Sequence, residues 1–544
     1  GVSTESILPL EGGRAENTVR DGVSKAFTYY GNIALNYTKT IHKDHELTAS
    51  AGAQLLRLNR IYEFAKGLNT ATDYNQSISS VKDASGKNLS GYDNLWTFGN
   101  YYLNATYAFR KQLYAGVSVS ADASSVTGEN SALFSFYPSA NLAWRMKGAP
   151  FLRDFDFVSD LTLRAEFSRK GNAMIPPMLG DYYYEGVNFE TMGGIVRGNI
   201  PNNKLSQEYV DGVNLGLDFA TRGRKFAISV DWFRDETKDM VVRQYLDDNF
   251  GSKFRYVNSG RMVNQGIEFS VNAIALRRGK FEWALGATLS RNKAEIKSLG
   301  GSNESVITLT DGGQIVTRVG ESPYAFYGLQ AEGVFSTTAE AKNAGLKNYK
   351  GLNYAAGDMH FTDQNKDGVI DQEDRVILGD ATPDFYGGFY TSFRYKNFML
   401  NAHFTYSYGN KIYNAVRRQG ESMKNYFGQT QAVLSAWRYE GQQTDVPRAV
   451  YGDPMDNSTF SSRWIEDGSY LKLKNLTLNY EYPDKFWIFQ KMQAYISADN
   501  LITWTKYLGY DPEFAYSYDH HMLGVDYGKV PGATTIKLGI RLGF

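Results

Sequence analysis

Residues 536–544, Ile-Lys-Leu-Gly-Ile-Arg-Leu-Gly-Phe, close the chain with a strict two-residue alternation. Ile536, Leu538, Ile540, Leu542 and Phe544 fall on one face, and Lys537, Gly539, Arg541 and Gly543 fall on the other. Successive side chains of a β-strand point to opposite sides, so this pattern is a strand with one oily and one wet face. The same reading holds for Phe398, Leu400, Ala402, Phe404, Tyr406 and Tyr408 against Met399, Asn401, His403, Thr405 and Ser407. It holds again for Leu113, Ala115, Val117, Val119 and Ala121 against Tyr114, Gly116, Ser118 and Ser120. Runs of about ten residues suit a tilted strand that crosses a bilayer and exceed the ~5–6 residues usual in globular sheets. The pattern predicts an all-β chain, a transmembrane antiparallel β-barrel with lipid on one side of each strand.

Working outward, strands are expected near 25–38, 45–58, 95–109, 112–122, 133–145, 157–168, 208–220, 224–236, 262–275, 280–292, 313–320, 325–335, 385–395, 398–408, 470–481, 491–500 and 534–543. Several connections are short and basic: Arg110-Lys111, Thr221–Arg224, Arg277–Lys280 and Lys396-Asn397. Others are long, at 59–94, 169–207, 336–384 and 409–469. Short turns on one side and long loops on the other is the asymmetry of an outer-membrane barrel, with the short turns periplasmic. About 17 strands is an odd number whose first member starts outside the cell, whereas single-chain bacterial barrels have even counts. The expectation is therefore the C-terminal portion of a larger barrel spanning 1–544.

Composition excludes other classes. Lysine plus arginine equals aspartate plus glutamate at 58 each, so no net field draws in nucleic acid. Aromatics make up 15% of the chain, and 53 glycines stand against 13 prolines, a balance that favours strands and tight bends. Without cysteine there is neither a disulfide framework nor thiolate chemistry. No run of about 18 apolar residues exists to form a membrane helix. A mean hydropathy of -0.42 does not oppose a barrel, whose alternating strands hide an apolar band from any average.

One loop carries a metal motif, Asp363–Asp374, DQNKDGVIDQED. Side-chain oxygens fall at positions 1, 3, 5, 9 and 12 as Asp363, Asn365, Asp367, Asp371 and Asp374. Gly368 stands at position 6 for the sharp turn, and Val369 at 7 offers a carbonyl. This is the spacing of an EF-hand-type Ca²⁺ loop, all oxygen donors for a hard cation. It departs from that loop in ending on Asp374 instead of a bidentate Glu and in lacking flanking helices. The competing reading is an acidic turn whose Asp and Asn residues cap local backbone. A bound ion would be structural, stiffening the extracellular loop 336–384.

Other candidates are weaker. His520-His521 in the last long loop reads more simply as loop surface than as a metal pair. No GxSxG, HExxH or phosphate-loop motif occurs, and no carboxylates are paired at a catalytic spacing, so no catalytic residues are assigned and the chain is not expected to be an enzyme. Tyr182-Tyr183-Tyr184, Trp437, Tyr439, Tyr516 and Tyr518 could stack on sugar rings or grip a peptide. For aromatics at strand ends the interfacial girdle of a barrel is the better explanation.

Five motifs in order resemble the SusC/RagA-like TonB-dependent transporters of Bacteroidetes outer membranes: YVNSGRMVNQGIEFSV at 256–271, ESPYAFYGLQAEGVF at 321–335, DQNKDGVIDQEDRVILGDATPDFYGGF at 363–389, GSYLKLKNLTLNYEYP at 468–483 and ADNLITWTKYLGYDPE at 498–513. Each alone is weak; together they are specific. The terminal IKLGIRLGF looks like the family's last strand. The resemblance implies a 22-stranded barrel, a plug domain inside it and a TonB-contacting segment before the plug, neither of which this chain contains on that reading. It also implies uptake of an oligosaccharide or oligopeptide together with a SusD-like surface lipoprotein. Two other functions stay open: a passive porin, and a barrel used as surface adhesin or assembly scaffold. Which substrate, glycan or peptide, the residues do not decide.

Overall fold

The computed structural model of the chain describes residues 2–4, 17–68, 77–81, 86–173, 179–180, 184–189, 192–246, 254–485 and 488–544. Tyr182 and Tyr183 lie outside the described residues. Among the described residues no helix is long and apolar enough to cross a membrane.

Sixteen strands form one sheet in simple chain order: Val2–Thr4, Asn17–Ile41, His45–Leu68, Lys87–Phe109, Leu113–Ser124, Ser135–Arg145, Val158–Asn172, Glu208–Thr221, Phe226–Tyr245, Phe254–Arg278, Phe281–Leu299, Phe385–Tyr395, Phe398–Tyr408, Tyr470–Glu481, Lys491–Thr505 and Thr535–Gly543. Among the described residues the first and last of these have no partner on their outer edges. Every ladder with a resolved register within it is antiparallel, as nearest-neighbour hairpins require.

Two of the seventeen expected strands belong elsewhere. The segments 313–320 and 325–335 do not join the large sheet. Gln314–Arg318 and Ala325–Leu329 pair with Glu304–Thr308 and Arg375–Gly379 in a separate four-stranded sheet. Their apolar faces are covered by protein: Ile315, Val316, Ala325 and Phe326 are at most 1% exposed. Alternation alone marks a strand and cannot tell a lipid-covered face from a protein-covered one.

The chain divides into two compact units. The first contains residues 1–142, 167–211 and 238–258. Here Asn17–Ile41, His45–Leu68 and Lys87–Phe109 pair almost without interruption, and at ~3.3 Å per residue a 24-residue strand is about 80 Å long, far more than a bilayer needs. Within the expected loop at 59–94, residues 59–68 and 87–94 are instead strand, continuing the ladder His45–Leu68 with Lys87–Phe109. Ile33 and Leu35 are 81% and 75% exposed on one face of this unit, apolar surface of the kind a lipid-facing strand presents.

The second unit contains residues 143–166, 212–237 and 259–544. Its last strand keeps the expected division, with Ile536, Leu538 and Ile540 all exposed on the oily face. On the opposite face of Val158–Asn172 and its neighbours, Arg164 holds Asp218 through Nε at 2.7 Å and Asp231 through Nη1 at 2.9 Å. Partly exposed cations and carboxylates on one face of a sheet, matched to each other, suit a polar interior.

The short turns behave as their sequence demands. Arg110 and Lys111 have φ of 52° and 53°, Gly279 has 59° and Lys396 has 52°. Positive φ in a two-residue hairpin matches the right-handed twist of the strands it joins.

Candidate functional site

The long loops of the second unit fold into their own structure. Beside the four-stranded sheet, Ala331–Val334 pairs with Met359–Phe361, and Lys347–Asn348 runs parallel to Val369–Ile370. Lys411–Asn414 lies between Ile465–Asp467 and Val525–Asp526, so three loops distant in sequence share one small sheet. Two apolar cores fill the space. One gathers Leu329, Phe335, Leu346, Tyr354, Met359, Phe361, Ile370 and Met455; the other gathers Leu309, Ile315, Phe326, Tyr413, Phe460, Trp464 and Val525.

The helix Thr338–Ala344 starts with a capping box. Thr337 accepts the Glu340 N–H, and Glu340 accepts the Ser336 hydroxyl at 2.9 Å and the Ser336 and Thr337 N–H groups at 2.8 and 3.4 Å. The Ser336 hydroxyl and these amides hold the Glu340 carboxyl below its ordinary pKa. The helix stops at Gly345, whose φ of 67° is the left-handed cap that glycine favours.

Buried charge ties the loops together. Asp358, with no exposure, is gripped by both arms of Arg448 at 2.8 and 2.9 Å and accepts Asn457 Nδ2 at 3.2 Å. Arg417 bridges Glu421 and Glu466, each at 3.0 Å, while Arg463 reaches Glu421 at 3.2 Å across the buried Trp464. Tyr413 donates to Asp311, and burial drives its hydroxyl pKa upward. Tyr527 also donates to Asp311, at 2.9 Å, and burial pushes it up to about 12. This is the construction of a rigid platform, its loops tied to one another by paired groups.

The six residues of the metal motif lie in one tight loop. Gly368 has φ of 83°, the sharp turn expected at position 6. Asp363 accepts the N–H groups of Lys366 and Gly368 at 2.7 and 2.8 Å, Asn365 that of Asp367 at 3.1 Å, and Asp367 that of Val369 at 2.8 Å. Asp371 accepts the N–H of Glu373 at 2.8 Å. Asp374, without exposure, accepts Gln364 N–H at 2.7 Å and Asp371 N–H at 2.9 Å. Among the described residues no three acidic or histidine side chains converge as a ligand set. The loop is shaped by carboxylates on its own backbone, and the spacing fits a cation better than the present convergence of side chains does.

The aromatic candidates separate by burial. Trp437 donates its ring N–H to the Ser336 carbonyl at 3.1 Å and is part of the scaffold. Tyr439 and Tyr518 are largely bare, and Tyr516 packs on Tyr527 with ring centres 5.4 Å apart. His520 stacks on Tyr324 instead of joining His521 in a ligand pair. Sequence reading passed over Tyr426 and Tyr451, both exposed, whose rings lie 5.2 Å apart. Twenty-five residues separate them, and only the folded loop brings them together.

Comparison with known proteins places the chain. Residues 8–501 match the family "TonB dependent receptor-like, beta-barrel", and the chain belongs to it. It is 29% identical to TonB-dependent receptor P3 of Formosa agariphila over 94% of this chain and 52% of that protein. TonB-dependent receptor SusC of Bacteroides thetaiotaomicron is 24% identical over 94% of this chain and 50% of its own length. Among solved structures, the RagAB peptide importer in its open-open state aligns with a TM-score of 0.80 at 22% identity, covering 98% of this chain and 56% of that one. The chain therefore spans about half the length of the curated relatives it matches. It is a SusC/RagA-like outer-membrane β-barrel protein.

Proposed function

We propose that the whole protein imports a large nutrient, an oligosaccharide or oligopeptide, by TonB-dependent transport with a SusD-like lipoprotein over its mouth, and that it is not an enzyme. The observation that carries this reading is the family match along nearly the whole chain. The folded platform of loops supports it, since a passive pore needs no such ordered superstructure. The RagAB likeness speaks for peptide, and the bare loop tyrosines for sugar as well as peptide. Extension to a 22-stranded barrel enclosing a plug belongs to the same proposal.

The test is growth and labelled-substrate uptake by a strain lacking the gene, complemented with and without functional TonB. Uptake that needs both supports import. Flux that persists without TonB favours a porin, and copurification of a partner with no flux favours a scaffold.

The reading includes a structural Ca²⁺ ion at Asp363, Asn365, Asp367, Val369, Asp371 and Asp374, supported by donor type and spacing. Such an ion would brace the loop and take no part in chemistry.

A further inference from the structure

In the first unit the strands Asn17–Ile41, His45–Leu68 and Lys87–Phe109 set their outward side chains in rows. Ile33, Ala53 and Tyr101 make one row, and Leu35, Ala51 and Leu103 the next. The four large side chains are exposed, and the two alanines between them floor a shallow apolar trough. The turns at 42–44 and 110–112 are short and so periplasmic, which points the other end of the trough at the outer leaflet.

At that outer end lies a groove of about 650 Å³ lined by Phe27, Tyr29, Arg57, Asn59, Asp93 and Leu95. The register connects it to the trough. Gly31, Leu55 and Gly99 form the row between them, and a Cβ on either glycine would meet nothing within 4 Å, so open space flanks Leu55 on both sides. Next outward comes Tyr29 with Arg57, then Phe27 with Asn59 and Leu95, then Lys25 and Asp93 at the two ends of one row. The order along the strands is therefore apolar trough, cation, aromatic and amide, and last a row of no net charge.

Arg57 is exposed and has neither an ion pair nor a hydrogen bond among the described residues. A guanidinium at the rim of a lipid-covered face stands at the level of lipid phosphates, and its planar fork matches two phosphate oxygens at once. Asn59 Oδ1 also lacks a hydrogen-bond partner among the described residues, and a hydroxyl is the donor it wants. From Thr97, opposite Arg57, to Asp93 is four residues of strand, about 13 Å at ~3.3 Å per residue. That polar stretch is long for the short amine or diol of a simple phospholipid and fits sugar rings, which can lie on Phe27 and Tyr29.

We propose that this groove binds a phosphorylated glycolipid of the outer leaflet. An acyl chain lies in the trough between Ile33 and Tyr101, the phosphate sits on Arg57, and the sugar covers Phe27 and Tyr29 with hydroxyls toward Asn59 and Asp93. The site is on the lipid side of the sheet, so it rests on the barrel and not on import: loss of uptake leaves it unchanged.

The test is native mass spectrometry of the whole detergent-purified protein titrated with monophosphoryl lipid A, the same lipid without its phosphate, phosphatidylglycerol and phosphatidylethanolamine. Expected is one saturable site for monophosphoryl lipid A, with each of the other three weaker by about tenfold or more, the worth of one charge-assisted contact or of the sugar. Arg57→Gln should erase the advantage of the phosphorylated over the phosphate-free lipid. Arg60→Gln, whose side chain alternates to the opposite face, should keep it. No saturable binding, or equal binding of monophosphoryl lipid A and any of the other three lipids to the unaltered protein, overturns the proposal whether or not the variants fold. So does a folded Arg57→Gln protein that keeps the preference, or an equal loss in Arg60→Gln.

Discussion

Arg448 and Asp358 are the pair on which the loop platform turns. Removing the guanidinium leaves Asp358 buried with only Asn457 and the Ala355 N–H as donors. Breaking a buried pair from one side costs about 3–5 kcal/mol, and the partial exposure of Arg448 puts this case toward the lower figure. Arg448→Met is expected to lose hydrogen-exchange protection across 331–361 and 436–458 while the strands of the large sheet keep theirs. Unchanged protection would show that the pair is decorative. Glu340 gives a pH dependence with a definite sign. Its folded pKa lies below the ordinary 4.5, so its contribution is complete above that value and fades as pH falls through the lower folded one. Protection factors at 337–345 should hold from pH 7 to 5 and drop below about pH 4.5. Glu340→Ala should cost the helix about 0.3–1.5 kcal/mol and abolish the drop.

At the scale of elements, the lipid-crossing strands were legible because their two faces meet different solvents. Phe385–Tyr395 and Phe398–Tyr408 occupy the residues the alternation assigns to them. What alternation could not reveal was the fate of 313–320 and 325–335, whose oily faces meet other loops, or the continuation of His45–Leu68 past residue 58, where charged and apolar residues mix on both faces. The platform itself was invisible for a related reason. Its ties join residues about 90–130 apart, such as Asp358 to Arg448 or Ala331 to Ser462, and no local pattern encodes them. The loop 363–374 was legible as a spacing, and its turn at Gly368 came out as expected. Calcium added to the purified protein should raise the melting temperature of the platform, with EGTA reversing the effect and Asp363→Asn reducing it. A flat response would leave the acidic turn, held by its own amides, as the whole explanation.

For the whole molecule, the central claim is that alternate side chains of the long strands meet lipid on one side and an aqueous interior on the other. Net charge, hydropathy and the absence of cysteine said little by themselves; the two-residue period carried the inference. These 544 residues contain no cysteine, so single cysteines introduced at 536 through 541 meet no background from this chain. Each variant, labelled with an environment-sensitive fluorophore and reconstituted in bilayers, is read with a lipid-borne quencher and with a water-soluble one. Positions 536, 538 and 540 should respond to the lipid quencher and 537, 539 and 541 to the aqueous one. Equal response of all six to the aqueous quencher would contradict a membrane-spanning strand and with it the outer-membrane barrel.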